Sequence, residues 1–292
     1  MFVNHILKLY YGIEQDIEPP QYFQYQGELY YFSYINNPQA FLEIFQYYHY
    51  FMRQCGIIGY TPVQNDNKDI FSYQHLLLLY HNQPFDFRKY LEVFLQPIPS
   101  QRLLITQIKE QWICKIDHVK ELVKQYAYSF KHNPDLVSLI YYYTGIGENC
   151  INILNEILSI SSHASVTMGL ALNHIVSVYV YDFINPLNYR MSSRMRHLVF
   201  LLESEIITYE MLENILETYY LDVYEILYFY ARLFYPSSFF DEVLTQKMSQ
   251  ERITEYFITV EKERKMYQTI TTILSFYVTL PKISWINRKN ML

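Results

Sequence analysis

The side chains that enzyme or metal chemistry would first recruit are present in this chain, but their spacing supports little of it. The nine histidines make no HxxxH or HExxH pair on any predicted helix, so the two-ligand helical face of a zinc site is missing from the sequence. Cys55, Cys114 and Cys150 are far apart and odd in number, which gives neither a CxxC metal or redox motif nor a disulfide framework. Buried, reduced thiols are expected. Asp117-His118 beside Lys120-Glu121 is the densest polar group, and at helical spacing it reads as a solvated face rather than a general base. There is no GxSxG elbow, no GxGxxG and no GxxxxGK[ST]. Gly56 and Gly59 in the run GIIG are too few to cradle a phosphate.

The composition sets the frame for any such groups. A chain of 292 residues with 51% hydrophobic content is long enough to bury a sizeable core. A net charge of −6 and a charged fraction of 18% leave no electrostatic footprint for DNA or RNA. The N-terminal run MFVNHILKLYYGIEQD turns acidic early and has no small-residue cleavage site, so cytoplasmic synthesis is expected. From Ile157 to Tyr181 there is no Asp, Glu, Lys or Arg, a length that would cross a bilayer. Its Ser, His and Asn residues are scattered all round any helix, so a buried stretch of protein core is expected instead of a membrane span. Tyrosine is in excess, with 32 residues. Codon drift in a low-GC genome accounts for such an excess in one reading; in the other, Tyr supplies amphipathic surface for assembly or phenols for oxidative coupling.

Hydrophobic patterning predicts the elements that would position these groups. Tyr22 to Tyr25 and Glu28 to Ile35 flank Gln26-Gly27 as a hairpin. A helix from Gln39 to Cys55 follows Asn37-Pro38 and ends at Gly56. Ile57 to Val63 and Ile70 to Tyr80 read as two more strands around the polar turn 64–68. After Gln96-Pro97-Ile98-Pro99 the pattern turns helical. Helices are expected over Gln101 to Phe130, Pro134 to Ile160, Ser193 to Glu203, Thr208 to Tyr219, Asp222 to Tyr235 and Ser249 to Leu280. Ala164 to Tyr189 reads as irregular or strand-like. The outline is an α+β protein with a small, mixed lobe over residues 1–80 and a large, mainly helical lobe over 81–292.

Four runs carry a family resemblance in the expected order: LYYGI at Leu9 to Ile13, YYYTGIGENCINIL at Tyr141 to Leu154, LYFYARLFYPSSFFDEV at Leu227 to Val243, and LPKISWI at Leu280 to Ile286. Together they resemble the YutH-type endospore coat-associated proteins. These are a branch of the spore-coat CotS family, itself similar to aminoglycoside and choline phosphotransferases. The resemblance implies a bilobal, protein-kinase-like fold. In active relatives a strand Lys holds the α- and β-phosphates, a loop Asp orients the hydroxyl, an Asn follows it, and a second Asp binds Mg²⁺. Carried onto this chain, the Lys position falls in ELYYFSYI, where Ser33 or Tyr34 stands instead. Glu43 falls at the helix position that pairs with that Lys, but without its partner it reads as a solvated helix residue. The catalytic loop falls in MGLALNHI, with Asn173 and His174 as its only polar side chains besides the backbone. Aligned through SSRMRHLVF, the metal position falls near Arg190, a cation where Mg²⁺ needs an anion. A second register, through VYVYDF, puts Asp182 there.

The resemblance therefore implies a pseudokinase: no catalytic residues, no cofactor, and a structural or interaction role in coat assembly. The protein would be made in the mother cell and end in the spore coat, bound to other coat proteins or to itself. The alternative it implies is a residual small-molecule kinase using ATP and Mg²⁺ through Asp182, His174 or Asn173. The tyrosine clusters Tyr30-Tyr31, Tyr47-Tyr48-His49-Tyr50, Tyr141-Tyr142-Tyr143 and Tyr219-Tyr220 bear on assembly. Neighbouring rings leave a helix or strand on different faces, so at least one ring of each should reach the surface.

Overall fold

The turn at Gln26-Gly27 sets the register of the first sheet. Both residues have positive φ, +52° and +85°, as a two-residue type I′ hairpin requires. The computed structural model describes residues 2–96, 101–125, 133–174, 176–219 and 221–288. Strands β1 (Gln21–Tyr25) and β2 (Glu28–Tyr34) pair antiparallel from Tyr25↔Glu28 to Gln21↔Phe32. β3 (Tyr60–Pro62), β4 (Phe71–Ser72) and β5 (His75–Tyr80) complete an antiparallel sheet of order β1-β2-β5-β3, with β4 also against β5. Helix α1 (Phe2–Tyr11) precedes the sheet, and Ile6 and Leu7 pack with Phe23, Phe32 and Leu77 in its core.

Helix α2 (Pro38–Gln54) lies in sequence between β2 and β3 and is fixed at both ends by local chemistry. Asn37 accepts from the Ala40 N–H at 3.1 Å, and Pro38 takes the first turn, where its missing N–H costs nothing. At the other end Gly56 has φ +81°. The Ile57 N–H returns to Met52 and the Gly56 N–H to Arg53, a Schellman closure. Helix α3 (Phe87–Phe94), capped by Asp86, follows the sheet.

Packing divides the chain into two compact units. One joins Met1–Pro97 with Gly169–Ile206, and the other joins Ile98–Met168 with Ile207–Leu292. In the first unit the end of strand β7 (Ser165–Leu172) runs into a short helix α6 (Val180–Phe183), a 3-10 turn at Pro186–Asn188, strand β8 (Tyr189–Ser193) and helix α7 (Arg194–Glu203). In the second unit strand β6 (Arg102–Leu104) pairs antiparallel with the start of β7. It is followed by α4 (Ile105–Gln125) and α5 (Pro134–Ile160), then by α8 (Tyr209–Thr218), α9 (Val223–Phe234), α10 (Ser237–Leu244) and α11 (Gln250–Leu274).

Three of the four runs singled out from the sequence meet in the core of the second unit. Gly145 and Gly147 sit inside α5, where glycine weakens a helix by about 1 kcal/mol relative to alanine. A Cβ on Gly145 would lie 2.1 Å from the Trp285 ring, and one on Gly147 would lie 2.8 Å from Ile116 and 3.2 Å from Phe240. Tyr143 packs 4.4 Å from Phe239, the Tyr142 hydroxyl donates to the Ile286 carbonyl, and Tyr230 donates to that of Pro281. The runs at 141–154, 227–243 and 280–286 are thus partners in one interior.

Several expectations need correction. The uncharged stretch Ile157 to Tyr181 is not buried throughout: residues 164 and 166–172 are largely covered, whereas Ser159, Ile160, His163, Asn173, His174 and Tyr179 are exposed. It breaks into the end of α5, strand β7 and a loop, so its polar residues fall at element ends and reach water. No helix among the described residues is long and apolar enough to cross a membrane. Helices α1, α3 and α10 were not foreseen, and the predicted helix from Gln101 begins as strand β6. The predicted break Pro97-Ile98-Pro99, the end of that helix beyond Gln125, and Tyr220 lie outside the described residues. In two tyrosine clusters one ring is buried and a neighbour exposed: Tyr48 against Tyr50, and Tyr142 against Tyr141.

Candidate functional site

All the positions at which kinase-type chemistry was sought fall in the first unit. Ser33 is buried on β2, its hydroxyl 3.4 Å from the Tyr34 carbonyl. Tyr34 is half exposed, bonds to the Gln74 side chain and meets the His75 ring edge-on. Glu43 is exposed on α2. Asn173 and His174 are exposed beyond β7. Asn173 is held through its backbone, its N–H donating to Asn188 at 2.7 Å and its carbonyl accepting from Arg196 at 3.4 Å. Arg190 is partly buried on β8.

Asp182 is the hub of the region. One carboxylate oxygen accepts from the Tyr22 hydroxyl at 3.1 Å and from Asn188 Nδ2 at 3.4 Å, and the other accepts from the Ser177 N–H at 2.9 Å. Asn188 Nδ2 also donates to the Asp182 carbonyl at 2.7 Å, and Asn185 Nδ2 donates to Tyr22 Oη at 2.8 Å. Burial pushes the Asp182 carboxyl up, but the hydrogen bonds from Ser177, Tyr22 and Asn188 together outweigh it and hold the group below the usual carboxylate range. The segment 177–188 is thereby tied to β1 by side chains more than 150 residues away in sequence. Two further phenols clamp the same segment: Tyr60 donates to the Tyr181 carbonyl and Tyr48 to that of Ile184, each at 2.6 Å.

Beneath this knot runs a buried relay whose direction the geometry fixes. The Leu172 N–H lies 3.3 Å from His197 Nδ1, so Nδ1 is the acceptor and the proton sits on Nε2. Nε2 then donates to Tyr90 Oη at 2.9 Å, Tyr90 donates to Tyr189 Oη at 2.8 Å, and Tyr189 donates to the Phe183 carbonyl at 3.1 Å. Burial pushes the fully enclosed His197 down to about 3, so it is neutral at physiological pH, as this tautomer needs.

Neither Tyr22, Asn185, Asn188 nor the relay residues were singled out from sequence. The local signal available was Asn185-Pro186, where Asn185 closes a turn on the Leu187 N–H at 3.0 Å. Among the described residues no three His, Cys, Asp or Glu side chains converge as a metal-binding group. No family model, no curated protein and no solved structure matches the chain.

The knot makes Asp182 a fastening residue, with a measurable consequence. Asp182→Ala leaves the Tyr22 hydroxyl and the Ser177 N–H without their acceptor, while Asn188 keeps the Asp182 backbone carbonyl, and it is expected to destabilise the protein by about 1–3 kcal/mol. Asp182→Asn, which keeps one carbonyl acceptor, should lose about half as much. Urea denaturation compares the two, and equal midpoints for Asp182→Ala and the parent chain would remove Asp182 from this role.

Proposed function

We propose that the chain is a non-catalytic, kinase-like protein of the spore-coat type, acting as a structural or binding component and not as a phosphotransferase. The observation that carries this reading is the occupation of Asp182. The one carboxylate at a metal-binding register is held by three protein donors that metal coordination would have to displace. The cationic phosphate-holding position is taken by Ser33 or Tyr34, and the catalytic loop offers Asn173 and His174 without a carboxylate. The antiparallel sheet with α2 inserted between β2 and β3 supports the kinase-like comparison, since kinases place there the helix whose Glu pairs with the strand Lys. Strand β2 carries no Lys for the exposed Glu43 to meet.

Thermal unfolding with saturating Mg²⁺ and ATP tests the proposal. A ligand at a hundred times its Kd would stabilise a folded protein by about 2.7 kcal/mol, a shift of several degrees. The expected shift is within about 1 °C of zero. No phosphoryl transfer to aminoglycosides, choline, homoserine or the chain itself is expected. Turnover that vanishes in Asp182→Asn would instead establish the small-molecule kinase reading. Exposed Tyr50, Tyr73, Tyr141 and Tyr179 give the binding role its surface, because each ring offers broad apolar area at small entropic cost. Coat components or a second copy are the partners this reading assigns.

A further inference from the structure

The second unit carries an open groove of about 480 Å³ lined by Glu213, Glu217, Ile273, Phe276 and Tyr277. Glu213 and Glu217 lie one turn apart on α8 and so share a face, where like charges repel each other. Among the described residues neither makes an ion pair. The opposite side is formed by the residues that end α11 and follow it. Ile273 is buried as a floor, Tyr277 is partly exposed, and Phe276, at 82%, is the most exposed large hydrophobic side chain among the described residues. Burial and then the charges of Glu217 and Glu213 raise the Tyr277 phenol, which places both carboxylates within electrostatic reach of the ring.

Two unpaired carboxylates call for a cation, and an exposed phenyl beside a phenol calls for a flat or apolar surface. A guanidinium on an alkyl stem answers both, with forked donors for the carboxylates and a planar face that stacks on aromatic rings. The groove is too open to enclose most of a free small molecule. A side chain presented by a folded or extended protein segment does not need such enclosure, because contacts outside the groove share in holding it. We propose that this groove docks an arginine-bearing segment of a partner protein, the guanidinium bridging Glu213 and Glu217 and its stem lying on Phe276 and Tyr277. The inference does not depend on the kinase-like reading.

Fluorescence anisotropy with the full chain tests it, using a labelled, capped peptide that has one arginine between two leucines and a twin in which citrulline replaces arginine. Binding of the arginine peptide is expected, weakening about fivefold or more in Glu213→Gln/Glu217→Gln and in Phe276→Ser, the change that loss of about 1 kcal/mol produces. The citrulline twin should be weakened to the same extent. These positions are at the surface, so an unchanged melting temperature verifies that the variants are folded. No binding, equal binding of the citrulline twin, or indifference to the glutamate pair would overturn the proposal. A lysine peptide binding as tightly would overturn the assignment to arginine. Self-association abolished by the glutamate variant, without peptide binding, would assign the groove to a second copy instead.

Discussion

Gly145→Ala is expected to lower the stability of the protein by about 3 kcal/mol, within the range of severe overpacking or loss of a buried aromatic contact. The added Cβ would stand 2.1, 2.4 and 2.6 Å from three atoms of the Trp285 indole. An aromatic ring cannot yield by turning its far end aside, and this one is held in place. The Trp285 backbone N–H and the Ser284 hydroxyl both donate to Asn149 Oδ1 at 3.2 Å, and Arg264 Nε donates to the Ile286 carbonyl at 2.9 Å. Ile283 and Ile286 on either side are fully buried. The segment after α11 must therefore lift off α5 or the helix must bend. A double-mutant cycle isolates the cause. In a Trp285→Ala background the same Gly145→Ala change should cost little, because the cavity left by the indole accepts the methyl group and alanine is the better helix former. An equal cost in both backgrounds would place the effect elsewhere.

Acid should destabilise the first unit through His197, and the loss should begin well above the usual carboxylate range. In the unfolded chain this imidazole takes a proton near pH 6.5. In the folded protein burial holds it down to about 3, and the Leu172 N–H already occupies Nδ1. The unfolded state therefore binds the extra proton first as pH falls. Its contribution to stability is fully present above about pH 6.5 and is lost progressively toward pH 3, reaching about 3 kcal/mol at pH 4. His197→Gln keeps one acceptor and one donor in the relay but does not titrate. Denaturant midpoints at pH 7.5 and pH 4 should thus differ by about 3 kcal/mol less in His197→Gln than in the parent. The same acid loss in both proteins would show that the histidine is not the sensor.

What the sequence by itself determined lies within a few residues of each signal. Gln26-Gly27 marked the hairpin, Asn37-Pro38 marked the break between a strand and the helix that follows, and Gly56 marked a helix end. Each works through one turn of backbone, the range over which capping and φ restrictions act. Periodicity found the long helices α2, α5 and α11 but passed over α1, α3 and α10, whose aromatic or short runs do not distinguish helix from strand. Asp182 was legible as a lone carboxylate, but not its partners. Only the tertiary structure brought Tyr22 to Asp182, Tyr90 to His197 across 107 residues, and Trp285 to Gly145. The physical reason is that tyrosine suits both surface and interior. With 32 of them, type and spacing cannot say which phenol will be enclosed or which buried acceptor it must then satisfy.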